Sequence, residues 1–231
     1  VIGGLEKKNK LISPEEKRVI AYHEAGHAIS GWFLEHAYPL VKVTIVPRGL
    51  TALGYAQYLP KEKHIVPQQH LLDQICCLLA GRAAEDIIFG QISTGAQNDL
   101  DRVTQHAYNL VMIYGMNDKV GNVSYYEMMK NNQFAKPYSE ATAQLIDQEI
   151  RKIIDGQYTR ALQLLKEKRK ELELLANELL NKEVLVRADV EHLIGKRIYD
   201  DVPDEKNGEK AIGENNGVDT LLDPDDQPEI I

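Results

Sequence analysis

Two histidines and a glutamate lie close together in the stretch AYHEAGHAI, residues 21–29. His23 and His27 are four positions apart, so on an α-helix they share one face and can both bind one metal ion. Glu24 follows the first histidine, and its carboxylate can reach a water molecule bound to that ion. Two nitrogen ligands, a general base and an open coordination position are what zinc-dependent hydrolysis of a peptide bond requires. The stretch therefore predicts two ligands, His23 and His27, and a catalytic base, Glu24.

The residues around this motif indicate a buried helix, because those on both sides are apolar (Val19, Ile20, Ala21, Ala25, Ala28, Ile29, Trp32 and Phe33). A buried glutamate beside two histidines is costly unless another group pairs with it. Gly26 costs about 1 kcal/mol relative to alanine in a helix, which indicates that another element packs closely there. The alternative is a helix whose histidines are hydrogen-bonded core residues without a metal.

The helix that carries the motif has a well-defined predicted start. Ser13 is a favourable N-cap, Pro14 suits the first helical position, and Glu16 completes a capping box. We expect the helix to run from there to about Glu35 or His36.

Over residues 41–59, the spacing of apolar residues changes from that of a helix to the alternation of a β-strand. Val41, Val43 and Ile45 alternate with polar residues, as in a half-buried strand, and residues 53–59 indicate a second strand. An antiparallel ribbon beside the catalytic helix could expose an edge that pairs with an extended substrate. Val43, Ile45 and Tyr55 are therefore candidate substrate-binding positions, and the alternative is a purely structural hairpin.

The rest of the chain is predominantly helical. An apolar helix is predicted over residues 68–89, another from about residue 99 to Tyr114, and loops over 115–137. Two long helices with a break near Gly156 follow over residues 139–181, and a short helix ends at Gly195. The fold class is thus mainly α, with a small antiparallel β-ribbon.

The composition limits the function classes. The chain has 231 residues, of which 27% are charged, and a net charge of −8, which argues against nucleic acid as a partner. Cys76 and Cys77 are adjacent in an apolar run and are expected to be buried thiols in a reducing compartment.

A catalytic zinc usually takes a third protein ligand. Acidic and histidine side chains outside the motif are the candidates, and residue type alone does not choose among them. They are Asp73, Glu85, Asp86, Asp99, Asp101, His70 and His106.

Beyond the motif, the sequence resembles the peptidase domain, family M41, of FtsH-type AAA proteases anchored in membranes. The resemblance is carried by HEAGH at 23–27, LLAGRAAEDIIFG at 78–90 and STGAQNDLDRVTQHA at 93–107, and it extends over about residues 1–195. The sequences of residues 42–60 and 136–146 are especially similar to the corresponding segments of the mitochondrial m-AAA branch and its bacterial relatives.

The resemblance implies a role for particular residues. Asp99 matches the family's third zinc ligand, Glu24 matches its base, and Glu85 matches an acidic position that supports a ligand. It also implies a linker from an ATPase module over residues 1–12 and a zinc peptidase domain over 13–198. Within that domain, 13–137 would be the catalytic part and 138–198 a helical hairpin with the C-terminal part. Residues 199–231 are acidic and are expected to be a disordered tail.

The implied function is that of a zinc endopeptidase which degrades unfolded or membrane proteins fed to it by an ATPase ring. Zn²⁺ is the implied cofactor. ATP would act only through a module absent from this chain, since no G-x-x-x-x-G-K-[ST] pattern occurs. The parent protein would be a homo-hexamer in the bacterial inner membrane with this domain in the cytoplasm, or alternatively in the mitochondrial inner membrane, facing the matrix. Two alternatives are a ring-forming scaffold with a structural metal and a free-standing zinc aminopeptidase.

Overall fold

The computed structural model describes residues 12–47, 54–59, 65–131 and 136–199. The expected linker, apart from Ile12, and the expected acidic tail, apart from Tyr199, lie outside the described residues. The elements, in chain order, are α1 (Pro14–Phe33), β1 (Leu40–Thr44), β2 (Tyr55–Tyr58), α2 (Gln68–Phe89), a 3₁₀ turn (Thr94–Ala96), α3 (Gln97–Met112), α4 (Tyr126–Asn131), α5 (Glu140–Glu167), α6 (Arg169–Lys182), β3 (Val184–Val186) and α7 (Arg187–Ile194). This confirms a mainly helical fold with a small antiparallel sheet.

Among the described residues, no helix combines the length and the apolar character that crossing a bilayer requires.

Helix α1 starts as the sequence predicts. The Ser13 hydroxyl accepts a hydrogen bond from the Glu16 backbone N–H at 3.2 Å, and the Glu16 carboxylate accepts one from the Ser13 N–H at 3.0 Å. The predicted end was two or three residues too late, because the backbone becomes extended at Leu34. The carbonyls that follow are bound by a distant side chain, Arg197.

Helix α1 is buried along most of its length and packs against α2 and α6. A Cβ at Gly26 would lie 2.5 Å from the Ala80 carbonyl oxygen and 2.8 Å from the Ala84 Cβ. Only a glycine allows this approach without displacement, which confirms the prediction that another element packs closely there. The crossing brings α2 directly against the two histidines.

The sheet has the order β2-β1-β3, so β1 is its central strand. Val43 pairs with Ala56 of β2 on one side and Leu185 of β3 on the other. The Ile45 N–H donates to the Glu183 carbonyl at 2.9 Å. The prediction of Val43 and Ile45 as edge residues was therefore wrong, because β3 comes from far along the chain and no local pattern reveals its pairing.

The predicted alternation within β1 was also wrong at one residue. Val41 is 38% exposed, whereas its neighbour Leu40 is fully buried. The pairing with β2 shifts register between Leu40 and Lys42, so Val41 is the additional residue of a β-bulge. The bulge sends Val41 outward and keeps Val43 in the core.

The later helices differ from the prediction in their ends. Helix α5 continues through Gly156 and ends at Glu167, because its packing against α2 outweighs the roughly 1 kcal/mol that one helical glycine costs. The break between the two long helices comes at Lys168 instead. Helix α3 ends at Met112 rather than Tyr114, and α4 lies in a segment predicted to be loop.

Candidate metal centre

Three potential ligand atoms converge between α1 and the first turn of α3. His23 Nε2 lies 3.1 Å from His27 Nε2 and 3.3 Å from Asp99 Oδ2, and His27 Nε2 lies 3.4 Å from Asp99 Oδ2. Donor atoms that share one zinc ion at metal–ligand distances of about 2 Å have spacings of this size. Among the described residues, this group meets the requirements for holding a metal ion.

The other ring nitrogens of both histidines are held by α2. His23 Nδ1 lies 2.6 Å from Glu85 Oε1, and His27 Nδ1 lies 2.8 Å from the Cys77 carbonyl oxygen. When each Nδ1–H donates to its oxygen, both Nε2 lone pairs face the converging site, as metal-binding imidazoles require. Glu85 was predicted to support a ligand, and the structure places it in contact with His23.

Glu85 also contacts the segment that leads to Asp99. Its second oxygen, Oε2, accepts a hydrogen bond from the Ser93 N–H at 2.6 Å. The Ser93 hydroxyl in turn accepts one from the Gly95 N–H at 3.1 Å and caps the turn before α3. One buried carboxylate thus connects a histidine of α1 to the turn that positions Asp99.

Glu24 is 6% exposed, and its Oε2 has no hydrogen-bond partner among the described residues. Burial raises the pKa of this carboxyl, although the nearby His27 and His23 oppose the shift. Buried polar atoms in native proteins nearly always have a partner. An oxygen without one, beside three converging ligand atoms, indicates a place for a water molecule or substrate.

The charges of the cluster favour a cation. Burial alone would lower the pKa of His23, but its contacts with Asp99 and Glu85 outweigh burial and raise that pKa to about 10. Burial likewise disfavours the charged form of Asp99, yet the two histidines hold its pKa well below the usual range. The carboxylates of Asp99 and Glu85 therefore attract positive charge to the two imidazoles, and a divalent cation could replace the protons that these carboxylates attract.

Two glycines make room for this cluster, and the sequence analysis did not single them out. A Cβ at Gly81 would lie 2.5 Å from His23 Nε2 and 2.6 Å from His27 Nε2. A Cβ at Gly54, just before β2, would lie 2.8 Å from Glu24 Oε1. Gly81 could have been found from the sequence, because a glycine inside the predicted apolar helix 68–89 is unfavourable for helix formation and indicates close packing.

The remaining third-ligand candidates lie outside the converging group. Asp73 binds Arg160, and Asp86 accepts a hydrogen bond from the Tyr158 hydroxyl at 3.0 Å. His70 stacks on His36 with ring centroids 4.2 Å apart. Asp101 is exposed, and His106 is half-buried farther along α3.

Comparison with known proteins gives a family match over most of the chain. Residues 10–193 match the profile of peptidase family M41. The chain is 55% identical over 206 residues to an ATP-dependent zinc metalloprotease FtsH of Rhodothermus marinus. It is 53% identical over 200 residues to an ATP-dependent zinc metalloprotease FtsH of Parabacteroides distasonis. It is 52% identical over 200 residues to the mitochondrial inner membrane m-AAA protease component AFG3L1 of Mus musculus.

These matches include 86% to 88% of this chain but only 25% to 30% of the three relatives. The chain therefore spans less than a third of the length of the relatives it matches. The matched region contains His23, Glu24, His27, Glu85 and Asp99.

Proposed function

Because the chain belongs to peptidase family M41, we propose that it is the zinc-dependent endopeptidase domain of an ATP-dependent, membrane-anchored protease. The observation that carries the proposal is the position of Glu24. Its buried oxygen without a partner lies beside a group of two imidazoles and one carboxylate that suits a zinc ion. That arrangement would place a metal ion and a base side by side.

His23, His27 and Asp99 are the proposed metal ligands. A bound zinc ion would polarise the scissile carbonyl and lower the pKa of a coordinated water molecule toward ~7. Glu24 would accept the proton of that water and deliver it to the leaving amine. Glu85 and the Cys77 carbonyl would keep the imidazoles oriented.

The substrate would lie as an extended strand along β2. This strand pairs with β1 on one side, and among the described residues no strand pairs with its other side. Gly54 lies against Glu24 at the start of β2, so a peptide running along β2 would pass close to the base. Recognition through backbone hydrogen bonds would make cleavage weakly dependent on sequence.

The wider assembly is proposed from the family. Similarity to FtsH proteins and to a mitochondrial inner membrane m-AAA component supports a parent with an ATPase ring. The parent would be a homo-hexamer in the bacterial inner membrane or the mitochondrial inner membrane. It would thread unfolded or membrane proteins into the peptidase chamber.

The test compares the wild-type chain with Glu24→Gln in zinc content and in cleavage of casein. We expect one zinc per chain in both proteins and chelator-sensitive cleavage in the wild type. Loss of the base should lower the rate by about 10²- to 10⁴-fold. Full activity of Glu24→Gln would remove Glu24 from the mechanism.

The same assay separates the alternatives. An aminopeptidase would trim free N-terminal residues and spare a peptide with a blocked N-terminus, whereas an endopeptidase would cut internal bonds of that peptide. A scaffold with a structural metal would bind zinc in both variants and cleave nothing, even when the ATPase module of the parent is present.

A further inference from the structure

Tyr58, the last residue of β2, connects the edge strand to the backbone of a proposed metal ligand. Its hydroxyl donates a hydrogen bond to the His27 carbonyl oxygen at 2.8 Å. The hydrogen bond joins β2 to α1 at the residue whose imidazole faces the metal centre.

The ring of Tyr58 rests directly on α1 at Gly31. A Cβ at Gly31 would lie 2.6 Å from Tyr58 Cε1 and 3.2 Å from its hydroxyl oxygen. Glycine is therefore needed at this position to let the ring reach the helix. The ring contact and the hydrogen bond together determine where the end of β2 lies along α1.

The start of β2 is held against the same helix. A Cβ at Gly54 would lie 2.8 Å from both Glu24 Oε1 and the Thr44 carbonyl oxygen. The four residues of β2 therefore run between one contact with the proposed base and another with the backbone of a proposed ligand.

The end of β2 lies beside the bulge of β1. The register shifts between the pairs Leu40–Tyr58 and Lys42–Gln57, and beyond the bulge the Leu59 N–H donates to the Pro39 carbonyl oxygen at 2.9 Å. A slip of one residue in this pairing would turn every side chain of β2 to the opposite face. The contact of Tyr58 with α1 adds a second fixed point for the end of β2, on the helix that carries the histidines.

We propose that Tyr58 is a positioning residue that sets the register in which an extended peptide lies along β2, and so selects the bond that faces the metal centre. The inference rests on the proposed function and adds to it the element that aligns the substrate. Successive residues of a strand are about 3.4 Å apart, and a displacement of about 1 Å can cost 10²-fold in rate. A small shift of β2 would therefore change which bond is cut.

The experiment uses the zinc-loaded chain and an unstructured peptide with a blocked N-terminus and several cleavable bonds, with products identified by mass spectrometry. Tyr58→Phe removes the hydroxyl and keeps the ring. We expect unchanged zinc content, a broader distribution of cleavage sites and a fall in kcat/KM of about tenfold. Gly31→Ala, which pushes the ring off the helix, should change the distribution in the same way.

Ser30→Ala is the matched control. The Ser30 hydroxyl donates to the same His27 carbonyl at 3.0 Å but belongs to α1 and makes no hydrogen bond to β2. If Tyr58 acts through the strand, Ser30→Ala keeps the wild-type distribution. Tyr158→Phe, which removes the hydrogen bond to Asp86, controls for the general loss of one tyrosine hydroxyl.

Two results would overturn the inference and leave the proposed function intact. One is a wild-type distribution of products from Tyr58→Phe, even with a lowered Tm. The other is an equal change of distribution in Ser30→Ala, because the effect would then come from the His27 carbonyl and not from β2. Failure of the zinc-loaded wild type to cut the peptide, even when the ATPase module of the parent is present, would overturn the proposed function and this inference together.

Discussion

Asp73, on helix α2, and Glu24, on the adjacent helix α1, are both buried carboxylates, yet their surroundings differ. Asp73 is 1% exposed, and both of its oxygens have partners. Its Oδ1 accepts hydrogen bonds from Arg160 at 2.6 Å and Gln69 at 3.0 Å, and its Oδ2 accepts one from the His36 N–H at 3.0 Å. The chain itself supplies every donor that this carboxylate needs.

At the candidate metal centre, the polar atoms converge on one point, and one oxygen beside them lacks a partner among the described residues. The two Nε2 atoms lie 3.1 Å apart, Asp99 approaches both, and Glu24 Oε2 has no partner among the described residues. A self-satisfied buried cluster contributes to stability, whereas an unsatisfied one requires a bound group. Mutations at the two clusters should therefore change different properties.

The largest effect is expected from Asp99→Asn. The variant keeps the shape of the side chain but removes the charge that faces both histidines, so zinc should bind much more weakly. The loss of zinc affinity should exceed the roughly 10- to 100-fold typical of removing a hydrogen-bond partner of a ligand. Competition with a chromogenic chelator measures the affinity. Wild-type affinity in this variant would exclude Asp99 as a ligand.

Next in size is Asp73→Asn, which should lower stability and leave zinc binding intact. Removing one partner of a buried ion pair typically costs about 3 to 5 kcal/mol. Because the Arg160 side chain is 37% exposed and can turn toward water, we expect about 2 to 3 kcal/mol here. Urea denaturation of the metal-free protein measures the change. A loss of zinc affinity in Asp73→Asn would remove the distinction between the two clusters.

Glu85→Gln tests the connection between His23 and the turn before α3. Glutamine can still accept from the Ser93 N–H but binds the imidazole without a charge, so zinc affinity should fall by about 10- to 100-fold. Isothermal titration with zinc gives the value, and Asp86→Asn, at the adjacent position of α2, is the matched control. Equal affinity of Glu85→Gln and wild type would assign Glu85 a role in folding alone.

The smallest effect belongs to Gln69→Ala, at the exposed side of the Asp73 cluster. The variant removes one of three hydrogen bonds to Asp73 from a side chain that can also bind water, so stability should fall by about 1 kcal/mol. Urea denaturation again measures it. A loss as large as that of Asp73→Asn would show that the cluster acts as one cooperative unit.

Local patterns were sufficient to predict the helix that carries the two histidines and the helix that packs against it. The capping box at Ser13 and the predicted range of the apolar helix 68–89 agree with α1 and α2 as observed. Both signals depend on residues within one or two turns of each other, so they can be recognised without knowledge of the fold. The pairing of His23 with His27 is local in the same sense.

Such local patterns did not predict the interactions between segments that are distant in the sequence. Arg197 is 5% exposed, and its guanidinium donates to the carbonyls of Gly31, Leu34 and Ala37, at and after the end of α1. Nothing in the local sequence around Arg197 indicates this role. The continuity of α5 through Gly156 likewise depends on packing against another helix rather than on propensity.

The sequence by itself determined that one helix presents two imidazoles and a carboxylate, because that arrangement depends only on a spacing of four residues and a helical period. Residue types left seven candidates for the third ligand, and family resemblance pointed to Asp99. Only the tertiary structure brought Asp99 next to the histidines, paired Asp73 with Arg160, and made β1 a central strand. Such contacts join segments far apart in the chain, and the packing of whole helices and strands, rather than local propensity, decides which side chains meet.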